Sequence, residues 1–201
     1  MVDEEIAQVD PSNGVIIGSV ERNRAHLDGI CHASVHIWIL DRNGLVLLQH
    51  RSKHSRTFAA MWDISAAGHI RAGEDGLREL EEELGVKVGI NDVEYFGYAR
   101  CEHDIGLFKN REFARMYLYR SDLSLEEFSF TDGEVQGLAG VTTSQLYDLI
   151  GGVNVKAAVF REGVVSVEEI VADKLVPQIP SYWDNLKDVL GGVKKAITFE
   201  G

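Results

Sequence analysis

The chain has 201 residues, 45% of them hydrophobic, enough for one sizeable core, so a single domain is the default. Its formal net charge of -12 excludes a general binder of nucleic-acid polymers, which need clustered Lys and Arg, and means that a polyphosphate substrate would need a cation between it and the protein. Cys31 and Cys101 are too few for a disulfide framework, the chain does not start with a basic segment followed by an apolar run, and its apolar stretches fall far short of a bilayer span, so a cytoplasmic protein without membrane contact is expected.

Pro11-Ser12-Asn13-Gly14 is a turn signal ahead of Val15 to Val20 and predicts an N-terminal β-hairpin within residues 1–28. An unpaired edge there leaves exchange across a homodimer open. The β-rich runs 33–40 and 45–50 flank Asp41-Arg42-Asn43-Gly44, and Asn-Gly between two such runs predicts a strand, a tight turn and a paired second strand. Further strands are expected over 93–101, 112–119 and 134–141, and helices over 76–84, 143–150 and, after Pro177 and Pro180, 182–190. Strands interspersed with a few helices imply α/β or α+β architecture, with a main domain over 29–175 and a C-terminal helical segment, 176–201, packed on it.

The densest chemistry lies in Arg78-Glu79-Leu80-Glu81-Glu82-Glu83-Leu84-Gly85-Val86. At 100° per residue Glu79, Glu82 and Glu83 fall within an arc of about 100°, while Leu77, Leu80 and Leu84 form a separate apolar stripe. One face docks and another presents carboxylates. Like charges at these spacings repel unless a cation or basic groups neutralise them, and hard oxygen donors suit Mg2+, with Mn2+ as the alternative. Upstream, the glycine-bounded loop Gly68-His69-Ile70-Arg71-Ala72-Gly73-Glu74 leads into the helix and offers backbone carbonyls to the same place. A run of glutamates alone is usually a solvated helix face; the loop beside it is what makes these residues a candidate site.

Loop and helix together resemble the Nudix hydrolase motif G-x5-E-x7-R-E-U-x-E-E-x-G-U, where U is aliphatic: Gly68, Glu74, Arg78, Glu79, Leu80, Glu82, Glu83, Gly85 and Val86 supply its defined positions. The resemblance implies an α/β/α sandwich around a mixed sheet and hydrolysis of a diphosphate joined to another moiety. It also implies that Glu79, Glu82 and Glu83 bind the metal and carry the catalysis, that the Gly68 carbonyl is a further ligand, and that Glu74 pairs with Arg78 to brace the loop. The spacing departs from the motif in one respect: only Asp75-Gly76-Leu77 separate Glu74 from Arg78, three residues where the motif has seven. The loss of four is close to one helical turn of 3.6 and would nearly preserve the direction of the carboxylate face.

Arg24-Ala25-His26 through Cys31-His32, Leu47-Leu48-Gln49-His50-Arg51 and Met61-Trp62-Asp63-Ile64-Ser65 resemble the branch of this family that includes isopentenyl diphosphate isomerases. That resemblance implies a metal held by His26, His32, His69 and Glu112, with Asn110 standing where the isomerases have a second glutamate. Their catalytic Cys precedes the Gly-His pair, and here that position is Ala67, which disfavours isomerase chemistry. The expected activity is metal-dependent hydrolysis of a small-molecule diphosphate, and a diphosphate-binding module without turnover is the alternative. Arg51, Lys53 and His69 are candidates for contact with substrate phosphate, and Glu79, Glu112 and Glu134 for the base that takes a proton from water. His36, on an apolar strand, reads as a satisfied core or surface side chain rather than a ligand, and Trp62 and Phe58 as core aromatics, with stacking on a base as the alternative.

Overall fold

The computed structural model describes residues 4–130 and 133–192; Thr131, Asp132 and the last residues of the 176–201 segment lie outside them. Strands β1 (Glu5–Val9) and β2 (Ile16–Glu21) form the expected N-terminal hairpin, and helix α1 (Arg22–Asp28) follows. Next come β3 (His32–Leu40), β4 (Val46–Arg51), the two-residue β5 (Trp62–Asp63), β6 (Ala66–His69), helix α2 (Arg78–Leu84), and the long strands β7 (Val93–Ile105) and β8 (Phe108–Arg120). The chain continues through β9 (Val135–Val141), α3 (Thr143–Ile150), β10 (Val155–Arg161), β11 (Val164–Ile170) and α4 (Pro180–Leu190). The strands form one mixed sheet, its main path running β11-β10-β9-β4-β3-β1-β2.

The Asn-Gly turn forms, but the hairpin expected around it does not. Asp41 Oδ1 accepts from the Asn43 and Leu45 N–H groups, yet β3 and β4 pair only at Leu40 with Val46 and then separate. β3 instead pairs in parallel with β8 from His32–Glu112 to Leu40–Arg120 and antiparallel with β6 from Ser34–His69 to Ile37–Ala66. A parallel ladder needs a crossover, supplied here by the long connection through α2 and β7, so neighbourhood in sequence could not reveal it. The β10–β11 hairpin, which no expected element covered, closes through Glu162-Gly163, both at positive φ (49° and 79°), as a two-residue primed turn requires.

Alternation along the strands divides the interior into two cores. From β3, Val35, Ile37 and Ile39 face the side on which α2 seats Leu80 and Leu84, together with Phe113 and Tyr117 of β8. Trp38, Ala114, Met116 and Leu118 face the other side, against Leu146 and Leu149 of α3 and Tyr182, Trp183 and Leu186 of α4. On this second side the pattern changes character along β3: Trp38 is apolar, but two, four and six residues earlier stand His36, Ser34 and His32. The same face that packs the core at one end presents polar groups at the other.

At seven residues, α2 is shorter than an isolated helix needs in water, so packing of Leu77, Leu80 and Leu84 holds it in place. Leu80→Ala should lower stability by about 2–5 kcal/mol and weaken any ligand held by the carboxylate face; paired chemical-denaturation curves would check the first effect, and a loss under about 0.5 kcal/mol would contradict this seating.

Candidate active site

A cleft of about 850 Å³ opens where β6, α1, α2 and the β7–β8 hairpin meet. The α2 carboxylates enter from one side. Glu79 is nearly buried and Gly68 is the residue it lies against: a Cβ at Gly68 would collide with the Glu79 carboxyl, so the missing side chain allows the close approach of helix and strand. Glu83 is buried at 4% exposure and reaches the β6 backbone, accepting from Ala67 N–H at 3.2 Å and from Gln49 Nε2 at 3.4 Å. Glu82 is the outermost of the three, its side chain 49% exposed.

Arg78 binds this cluster together. Its Nε donates to Glu74 (3.0 Å), its Nη1 to Glu82 (2.7 Å), and its Nη2 to Glu4 (3.2 Å) and to the His69 carbonyl (3.1 Å). Glu79 stands 2.8 Å from Nη1. The expected Glu74–Arg78 brace is therefore present despite the shortened loop. Burial raises the Glu79 pKa from 4.5 to about 7; Arg78 opposes the shift, and Glu82, Glu4 and Glu134 add to it. That carboxyl is short of positive charge. The donors here are oxygens throughout, and Glu79 gains most from a cation, so Glu79, Glu82 and Glu83 fit a magnesium-class ion.

A second group of side chains lies on the polar half of the sheet face. α1 delivers His26, β3 His32, β6 His69 and β8 Glu112. His26 Nε2 and His69 Nε2 are 3.2 Å apart, a separation expected of two nitrogens each about 2.1 Å from one shared ion. The donor atoms of His26, His32 and His69 lie within 4.8 Å of one another. Burial, reinforced by repulsion from His32, lowers the pKa of His26 to about 4; burial, against the attraction of Glu112, lowers that of His69 to about 3. Both rings are neutral at pH 7, as ligation requires. His32 Nδ1 is 2.9 Å from the Ile30 carbonyl, and its buried Nε2 has no protein partner. These nitrogens fit a cation better than they fit one another. Burial also works against the charge on Glu112, but its hydrogen bond to His36 and the attraction of that ring hold its pKa well below the usual carboxylate range.

Among the candidates for phosphate contact, Arg51 lines the cleft, ion-paired to Asp63 at 2.9 Å, with a buried Nε that no protein atom meets. His69 is built into the histidine group. Lys53, exposed on the loop after β4, is outside the cleft lining. Glu134 is exposed at the rim. Arg22 and Arg56 also line the cleft and were missed by sequence reasoning, because nothing local distinguishes an arginine at a helix start or in a loop from a solvated one. Trp62 belongs to the core as expected, whereas Phe58 lines the cleft, edge-on to His103.

A family model described as the NUDIX domain matches residues 31–163, about two thirds of the chain. The chain belongs to the Nudix hydrolase family. An uncharacterised Nudix hydrolase of Clostridium acetobutylicum is 32% identical over 174 residues, covering 84% of each chain. Nudix hydrolase 3 of Arabidopsis thaliana is 39% identical over 129 residues, which are 60% of this chain but only 17% of that protein. An isopentenyl-diphosphate Delta-isomerase of Serratia proteamaculans is 36% identical over 125 residues, 55% of this chain and 69% of that one. Among solved structures, a Deinococcus radiodurans protein superposes with a TM-score of 0.53 at 20% identity, over 74% of this chain and 89% of the other. A MutT protein of Methanosarcina mazei gives 0.52 at 19%, over 82% and 96%. Both share the fold. This Nudix chain is thus an enzyme of the pyrophosphohydrolase class, and among its described residues no helix is long and apolar enough to cross a membrane.

The Glu79 pKa gives a pH test. Between about pH 4.5 and 7 this carboxyl keeps its proton in the folded chain and loses it in the unfolded one, so its contribution to metal-free stability is complete below 4.5 and lost as pH rises through 7. A cation reverses the preference by favouring the ionised form. Magnesium should therefore raise the melting temperature more at pH 8 than at pH 5.5. Equal rises at both values would show that Glu79 does not take part.

Proposed function

We propose that this Nudix enzyme hydrolyses the diphosphate bond of a small organic diphosphate, of the nucleoside diphosphate-linked class or a related one, using Mg2+ or Mn2+ held by Glu79, Glu82 and Glu83. The observation that carries this reading is the raised pKa of Glu79 within an all-oxygen cluster facing the cleft. A divalent ion bound there would neutralise phosphate oxygens and orient an attacking water.

The chain's own residues supply the rest. The Ala67 N–H donates to Glu83, and in a strand a residue's N–H and C=O point to the same side, so the carbonyl that β6 turns toward α2 is that of Ala67. Gly68 pairs with Val35 of β3, and its part is to let Glu79 approach. We therefore assign the backbone ligand to Ala67 in place of Gly68. Arg51, Arg22 and Arg56 offer positive charge to the substrate phosphates on the cleft wall.

In the reaction, a water oxygen bonds to one phosphorus, the bridging P–O bond breaks, and the water's proton passes to a carboxylate. Glu112 is poorly suited to accept it, because its pKa is held well below the usual range. Glu79 and Glu134 remain. Glu134→Gln separates them: a fall in kcat on the order of 10²-fold or more assigns the proton to Glu134, and an unchanged kcat leaves Glu79.

Glu82 is the most exposed of the three α2 carboxylates, so its replacement disturbs the core least and it gives the cleanest test of the proposed metal face. Glu82→Gln should lower metal-dependent turnover on the order of 10²-fold or more across nucleoside di- and triphosphates, dinucleotides and isoprenyl diphosphates, with the fold intact. Equal activity of variant and parent on every substrate that responds would overturn the reading.

A second reading, isomerisation of an isoprenyl diphosphate, is favoured by one observation, the convergence of His26, His69 and Glu112. Ala67 offers no acid at the position that the isomerases use. Conversion of isopentenyl diphosphate to an isomer without phosphate release would establish that reading against the first.

A further inference from the structure

Beside the histidine group, and sharing Glu112 with it, His36 of β3 and Cys101 of β7 close a smaller cluster in the cleft wall. Cys101 and Glu112 are direct partners in the antiparallel β7–β8 ladder, so their side chains leave the sheet on the same face. Glu112 leans along β8 toward His36: its Oε2 lies 3.2 Å from Ser34 Oγ and 3.6 Å from His36 Nε2. Its other oxygen, Oε1, lies 4.0 Å from His69 Nε2. One carboxylate thus turns one oxygen to each cluster.

We propose that His36, Cys101 and Glu112 form a second cation site, selective for a borderline-soft ion of the zinc class, with Glu112 bridging it to the histidine centre. The donor atoms of the three residues lie within 4.8 Å of one another, so modest side-chain rotations bring them around one ion. A nitrogen, a sulfur and an oxygen form a donor set that favours Zn2+ over Mg2+, which takes oxygens.

Two further features support a ligand here. The back of the His36 ring is held: Nδ1 lies 3.2 Å from the Tyr182 hydroxyl, which also accepts from Trp38 Nε1 at 2.9 Å. This buried anchor from α4 fixes the ring and leaves Nε2 as the nitrogen that faces Glu112 and Cys101, the kind of outer support that metal-bound imidazoles have. The site is also open on one side, since all three residues line the cleft, and three protein ligands with one free position are the pattern of a zinc that takes water or substrate as its fourth ligand. Without a cation, burial pushes the Cys101 thiol well above the usual range, so it stays protonated; on binding, the thiol sulfur bonds to the ion and its proton passes to solvent. The site contrasts with the acidic helix in its donors, nitrogen, sulfur and oxygen against oxygen only, so the two places in the cleft would sort cations by type.

The test uses the full-length chain stripped of metal and titrated with Co2+, a spectroscopic stand-in for Zn2+. A thiolate-to-cobalt charge-transfer band should appear in the near ultraviolet and be displaced by Zn2+. Cys101→Ser should lose that band, keep the visible cobalt bands of the histidine centre, and bind Zn2+ on the order of tenfold or more weakly. Cys31→Ser should keep the band. Absence of the band in the unmodified chain overturns the proposal, as does its survival in Cys101→Ser or its loss in Cys31→Ser; because the unmodified chain alone can give the overturning result, poor folding of a variant does not protect the idea. The site depends on the hydrolase reading only through the shared cleft. In the unmodified chain, the band alongside absent hydrolysis of every substrate removes the reaction assigned above and leaves this site, whereas normal hydrolysis without the band does the reverse.

Discussion

Five donors of one guanidinium hold the active half of this molecule together. Arg78 turns its N–H groups to Glu74, Glu79, Glu82, Glu4 and the carbonyl of His69, which belong to the loop, the helix, the segment before β1 and the strand β6. A lysine could not substitute, since its three donors share one atom and lack the planar fork. The side chain is 18% exposed, so these contacts are made at reduced dielectric, where an unpaired member would be costly. Charge balance is the governing constraint of the site. Arg78 serves four carboxylates, and the more exposed Arg71 and Arg22 reach only Glu4 and Glu74, so the deficit concentrates on Glu79, whose pKa burial raises. A divalent ion bound as proposed would make up that deficit, and in doing so would compete with Arg78 for Glu79 and Glu82. The arginine in either case is a scaffold that keeps like charges together.

How much of this was legible in the sequence follows from how local each feature is. The acidic face of α2, its apolar stripe and its end at Gly85 are decided within one helix, and all three are present as expected. α3 spans Thr143–Ile150, the bounds its pattern predicts, because Thr142 and Gln145 form a complete capping box. The pairing of β3 was not legible. Asn43-Gly44 specified a turn, but what a strand does after a turn depends on competitors, and β6 and β8 claim both edges of β3 over most of its length. β6 itself, Ala66–His69, is four residues with no apolar alternation to read. The β10–β11 hairpin was missed for a different reason: β11 is an exposed edge strand, so its valines do not alternate with polar residues as a half-buried strand's would.

The same distinction separates the candidate residues. Glu79, Glu82 and Glu83 share one helix face and could be grouped from their spacing, whereas His26, His32, His69 and Glu112 come from four elements and could be grouped only by resemblance. His36 shows the limit of assigning a residue from its neighbours in sequence. Its setting on an apolar strand reads as a core or surface side chain rather than a ligand, and the structure buries it at 5% exposure, but one ring nitrogen faces the core through Tyr182 and the other faces Glu112. Lys53 and Arg51 make the converse case: two residues apart, one points to solvent and the other into the cleft, because the strand ends between them.

The shortened loop is where sequence and structure bear on each other most directly. With three residues between Glu74 and Arg78, the pair becomes an i,i+4 contact, formed at 3.0 Å across a tight turn in which Asp75 Oδ1 accepts from the Leu77 N–H and Gly76 bends at φ 85°. Asp75 thereby does for the N-terminal turn what a longer helix would do with its own backbone. The missing turn would have preceded Arg78, upstream of Glu79, Glu82 and Glu83. What fixes those carboxylates is the seat of Leu77, Leu80 and Leu84 in the core beneath and the grip of Arg78 above, and neither depends on the length of chain that came before. The deletion therefore removes helix without removing site, as expected if the angular position of α2 is set by its packed face and not by the segment that leads into it.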